Sequence, residues 1–127
     1  MKTLILCVFL LQNLAFDQNM SMTDPVKDDP FIHSVYFWLK DGVSGGDRME
    51  FKASLESLKK IRGIRKIYIL EPAGTQRDVV DNSYDFALII HFKHKAAQDA
   101  YQVDPLHVNA VKKMQPMISK FIVYDAD

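Results

Sequence analysis

The chain has 127 residues, 48% of them apolar, which is enough for one domain with one hydrophobic core and too apolar for a disordered chain. Sixteen Lys and Arg balance sixteen Asp and Glu, so the net charge of zero gives no general attraction to nucleic acid or to an anionic membrane. A single cysteine, Cys7, excludes an intrachain disulfide framework or a metal–thiolate site. The four histidines, His33, His91, His94 and His107, show no metal-ligand spacing, and no cofactor is expected.

The opening "MKTLILCVFLLQNLAF" has one lysine ahead of an apolar run from Leu4 to Leu11, like the start of a secretory signal, and is too short for a transmembrane helix. A cleavage site after Ala15 is poor, because Asn13 stands where a small residue is preferred. Met20 and Met22 are alternative starts, and a mis-assigned start is the preferred reading. It implies a cytoplasmic protein; a real signal would instead imply a secreted or periplasmic one. With the polar, proline-bounded "TDPVKDDP", residues 1–30 form a signal-like or mis-assigned extension and a flexible lead-in. The folded domain is expected over 31–127.

"FIHSVYFWLK" reads as a strand, rich in aromatic and β-branched residues and bounded by Pro30 and Gly42. Phe31, His33, Val35, Phe37 and Leu39 lie on one face, and Ile32, Ser34, Tyr36 and Trp38 on the other. After the turn "DGVSGG" comes a helix capped by Ser44 or Asp47, the latter with Glu50 three residues on. Phe51, Leu55, Leu58 and Ile61 recur at helical spacing, and Gly63 suits the left-handed stop. The cations Lys59, Lys60, Arg62, Arg65 and Lys66 read as a helix end and solvated turn. "IRKIYILEP" is a second strand and "AGTQRDVVDNS" a polar loop. "YDFALIIHF" is a third strand, with Tyr84, Phe86, Leu88, Ile90 and Phe92 assigned to one face; His91 and His94 read as exposed strand-end residues.

A short helix follows from Ala96 to about Val103, then a break at Asp104-Pro105 and a further helix to about Gln115. Asp104 can cap this helix and Pro105 suits its first position, so His107 falls in the first turn, where a helix N-terminus disfavours imidazolium. A neutral His107 could act as a general base, and Tyr101 could donate from its phenol to an oxyanion or carbonyl. "KFIVYDAD" is the last strand. The order β-α-β-β-α-β is that of the α+β, ferredoxin-like split βαβ arrangement, with a four-stranded antiparallel sheet and the helices on one face. Because the first and third strands are apolar on both faces, the uncovered face predicts a homodimer, two sheets packed into a dimeric α/β barrel.

Taken together, "FIHSVYFWLK", "SYDFALIIHF", "AYQVDPLHV" and "FIVYD", with the pattern Y-x-x-x-P-x-H, resemble the stress-responsive dimeric α/β barrel (Dabb) family over roughly 31–125. The resemblance implies a small dimeric barrel. One related member is a plant polyketide cyclase that closes a ring by aldol condensation without cofactor. It implies Tyr101 and His107 as catalytic residues, His107 the base and Tyr101 holding the substrate. It also implies His33 and Asp125 as pocket residues, with Phe86 where that cyclase has a second pocket histidine, hence a more apolar ligand site. Three functions stay open. The first is a pocket for a small apolar or aromatic ligand with cyclase- or isomerase-like proton transfer. The second is a non-catalytic stress-related binding or structural protein. The third is a cofactor-independent monooxygenase of quinol-like substrates.

Overall fold

The structure is a computed structural model and describes residues 30–127. The signal-like segment, Cys7, the alternative starts and most of the lead-in lie outside the described residues. Strand β1 (Phe31–Leu39) is followed by helix α1 (Gly45–Ser57), a 3-10 turn (Leu58–Lys60), β2 (Ile64–Leu70) and β3 (Phe86–Phe92). Helices α2 (Lys95–Val103) and α3 (Pro105–Met114), a second 3-10 turn (Gln115–Met117) and β4 (Ile118–Ala126) complete the chain. The β-α-β-β-α-β order holds, with the second helical segment in two pieces. The sheet order is β2-β3-β1-β4, antiparallel throughout, so β1 is central and β4 is an edge. No helix among the described residues is long and apolar enough to cross a membrane.

Alternation along β1 sorts its side chains as the sequence predicts. Phe31, His33, Val35, Phe37 and Leu39 are buried, and the residues between them only partly so. The buried set meets Phe51 and Leu55 of α1, Leu58, and the Phe86–Leu88–Ile90–Phe92 face of β3. The Phe51 ring stands edge-on to Phe37 and stacks on Phe86, both at 5.3 Å between centroids. Ser44 caps α1 by accepting from the Asp47 N–H at 3.0 Å, and the Asp47 carboxylate accepts from the Ser44 N–H in return. The reciprocal partner is thus Asp47 rather than Glu50, since the helix begins two residues before Asp47. Gly63, at φ +89°, turns the chain into β2, and a β-carbon there would come within 3.3 Å of Ala97.

Two expectations are corrected here. Tyr84 does not share a face with Phe86. The strand begins at Phe86, and the Tyr84 ring packs against Tyr36 at 5.1 Å and Trp38 at 6.4 Å on the opposite face of the sheet. The Asp85 N–H bonds the Phe37 carbonyl while its carboxylate takes the Leu39 N–H and Arg48, which anchors the entry to β3 and ends the simple alternation. His94 is not a strand-end residue but the cap of α2, its Nδ1 accepting from the Ala97 N–H at 3.1 Å.

All helices lie on one face of the sheet. On the other, Tyr36 pairs with Ile122 across β1 and β4, and Leu70 with Ala87 across β2 and β3. Tyr68, Leu70 and Tyr124 are 44%, 48% and 61% exposed on this face, a broad aromatic and aliphatic surface that none of the other described residues covers.

Candidate functional site

Between the sheet and the α2–α3 pair lies a cavity of about 280 Å³. Its apolar part is built from Val35, Phe37, Leu88, Met114, Phe121 and Val123; its polar end holds His33, Tyr101, His107 and Asp125. Four of the five predicted site residues therefore meet in one place, although they come from β1, α2, α3 and β4.

The break at Asp104-Pro105 creates this convergence. Asp104 is extended (φ −64°, ψ 133°), ends α2, and caps α3 by accepting from the Leu106 N–H at 2.8 Å, with Pro105 at the first helical position. The reversal brings His107 back onto Tyr101, with ring centroids 4.4 Å apart and planes inclined at 43°. The His107 Nδ1 lies 3.1 Å from the Gln102 carbonyl. A carbonyl only accepts, so Nδ1 carries the proton and the neutral ring presents a bare Nε2. Burial pushes the His107 imidazole below its usual 6.5, helped by the nearby His33 and opposed by the Gln102 carbonyl and Asp104. The neutral form of His107 is thus favoured chiefly by desolvation rather than by the helix N-terminus.

Tyr101 is only 1% exposed and touches three rings: Phe92 at 5.2 Å, His107, and His33 at 6.0 Å. Burial raises its phenol above the ordinary 10.0, so it stays protonated and can only serve as a donor or a neutral acceptor. The Tyr101 side chain lines the cavity. His33, buried on β1, places Nδ1 2.6 Å from Asp125 Oδ1 across the β1–β4 pair, where the two residues are register partners. The carboxylate accepts, so this imidazole too is protonated at Nδ1.

Phe86 stands apart. It does not line the cavity; it is buried beneath α1, stacked on Phe51 with the Arg48 guanidinium 5.0 Å from its centroid. The residue of β3 that faces the cavity is Leu88, two positions along the same face. The apolar character expected of this wall is present, supplied by a different residue. Phe121, 60% exposed, and Val123, 40% exposed, form the open side of the cavity on the edge strand, and sequence reasoning did not single them out. Their alternation with Ile122 and Tyr124 in "FIVYD" is the signal that would have placed them beside Asp125.

The described domain has recognisable relatives. The family model for the Stress responsive A/B Barrel Domain, Dabb, matches residues 31–127. A Dabb family protein with a ferredoxin-like fold from Mesorhizobium loti is 26% identical and superposes with a TM-score of 0.65, covering 78% of this chain and 96% of its own. The hydroxynitrile lyase of Passiflora edulis shares the fold at a TM-score of 0.69 and 16% identity, with 78% and 93% covered. A dimeric ferredoxin-like protein of unknown function from Thermobifida fusca gives 0.67 at 20% identity, with 79% and 92% covered. No curated protein sequence matches the chain.

Proposed function

The chain belongs to the Stress responsive A/B Barrel Domain (Dabb) family, and from that premise we propose that it is a homodimer that binds a small apolar or aromatic molecule and moves a proton on it without a cofactor. His107 is the base and Tyr101 the donor that holds the substrate oxygen. The observation that carries this reading is the joining of an apolar cavity to a polar end where a neutral imidazole and an unionised phenol adjoin. An α-proton beside a carbonyl suits this pair: the bare Nε2 takes the proton, and the phenol hydrogen-bonds the oxygen on which charge develops. At about 280 Å³ the cavity is at the small end of ligand sites, suited to a single ring or a short chain bearing a carbonyl.

Benzoylacetone is a suitable probe, with one aromatic ring and an enolisable dicarbonyl. At a hundred times its Kd it should stabilise the protein by about 2.7 kcal/mol, several degrees in Tm. No shift with this or other aryl ketones and phenols would count against the pocket. The depth at which Tyr101 is packed against Phe92 favours a second reading, a binding protein without turnover, which would show the same shift and no proton exchange.

The dimer rests on the uncovered sheet face. Tyr36, Trp38, Tyr68, Leu70, Ile122 and Tyr124 are better explained by burial against a second copy than by exposure to water. Gel filtration at micromolar concentration should give a mass near twice that of the chain, and Tyr124→Glu should shift it toward the monomer; a wild-type chain that elutes as a monomer would refute this.

A further inference from the structure

The cavity holds a second imidazole that the single-base reading leaves without a task. His33 comes from the centre of the sheet and His107 from a helix, yet both adjoin the ring of Tyr101 and both line the same polar end. Each has Nδ1 tied down, one by the Asp125 carboxylate and the other by the Gln102 carbonyl. Each is thereby left with Nε2 as its free ring nitrogen. Two imidazoles, each with Nδ1 engaged and Nε2 unengaged, beside one phenol are more than one proton abstraction requires. The anchors also differ in kind. A carbonyl dipole holds His107, whereas a full negative charge holds His33 and can balance a ring that carries both protons.

We propose that His33, positioned by Asp125, is the second proton-transfer residue of this site, so that the substrates are compounds in which a proton leaves carbon and another arrives on oxygen. The inference rests on the proposed role of His107. The Nε2 lone pair of His107 takes the α-proton, the C–H electron pair becomes the C=C bond, and the carbonyl π pair moves to oxygen. That oxygen receives the Nε2 proton of His33 when the ring carries a proton on each nitrogen, a form whose charge the adjoining Asp125 carboxylate balances. His33 ends neutral, His107 ends cationic, and the ketone has become its enol with no change in net charge. Reversal, or exchange with water at the open side of the cavity, resets the pair. Tyr101 holds the oxygen throughout.

The test compares two rates with benzoylacetone in D2O: deuterium uptake at the central carbon by NMR, and net keto–enol conversion by ultraviolet absorbance. With His107 alone, a proton can be taken and returned as a deuteron while the enolate stays bound, so uptake survives. Release of enol requires protonation of the oxygen. His33→Gln and Asp125→Asn should therefore lower net conversion at least tenfold and lower uptake little, raising the ratio of uptake to conversion. Asp125→Asn keeps an oxygen acceptor for Nδ1 at an exposed strand edge, so it tests the charge without depending on the more deeply buried His33→Gln folding, and Asp125→Glu should recover conversion. If both rates fall together in both variants, or neither moves, His33 only shapes the pocket and the inference is overturned. If the wild-type protein exceeds buffer in neither rate, the reading of His107 falls and this inference with it.

Discussion

His107→Ala is expected to lower proton transfer on a bound ketone by about 10²–10⁴-fold, the usual contribution of a positioned general base. The fold should survive. His107 is half-buried, and its recorded hydrogen bond is a single one to the Gln102 carbonyl, worth about 1 kcal/mol. Ligand binding should also survive, because the apolar walls, from β1, β3, β4 and Met114 of α3, do not include His107. Loss of the fold with binding retained in the remaining native protein would instead mark His107 as structural. The pH dependence carries a sign. Burial holds the imidazole below 6.5, so the base form persists in the folded protein under conditions where a free imidazole is already protonated. The acid limb of the pH–rate profile should therefore have its midpoint below 6.5, with His33, Asp104, Asp125 and Tyr101 the titratable groups around it. The same shift bears on stability. The contribution of neutral His107 is complete above the unfolded-state value and is lost as the pH falls through the lower folded-state value.

Phe51→Ala should cost about 3–5 kcal/mol, a large share of the 5–15 kcal/mol typical of such domains. Phe51 is 0% exposed and joins three parts of the molecule, touching Phe37 of β1 and Phe86 of β3 from its place on α1. The rings on either side are held by the sheet and cannot collapse into the space. With a urea slope of about 1–3 kcal/mol per molar, the midpoint should fall by at least 1 M. The effect should also reach the site, since Phe37 touches Phe51 on one side and lines the cavity on the other. A shift under 0.5 M would mean that the aromatic stack repacks.

Local physics made much of this fold legible. Alternation along "FIHSVYFWL" sorts buried from partly buried side chains without exception. Asp104-Pro105 carries the stop and start of two helices in its own chemistry, and the cap forms as those residue types require. Wherever a long-range partner decides the outcome, the sequence was silent or misleading. Tyr84 was assigned by extending the period of β3 backward, but Asp85 is captured by Leu39 and Arg48, which ends the period. Phe86 and Leu88 share a face, and only the position of α1 decides that the first is covered and the second faces the cavity. His94 looked like the fraying end of a strand because histidine is an unusual cap. The approach of Tyr101 to His107 depends on the angle between two helices, which periodicity does not encode. His33 and Asp125, 92 residues apart along the chain, meet only through the β1–β4 register.

The edge strand β4 divides the cavity by task. Asp125 sits at the polar end, whereas Phe121 and Val123, on the same face of the same strand, form the outer wall and are exposed. Exposed positions accept exchange at small cost in stability. Residues that set the shape of a ligand can therefore change in this scaffold without touching the imidazoles, the phenol or the core around Phe51. A scaffold organised in this way is readily retuned: descendants could keep one proton-moving apparatus and fit it to many different molecules by altering a few side chains on a single strand.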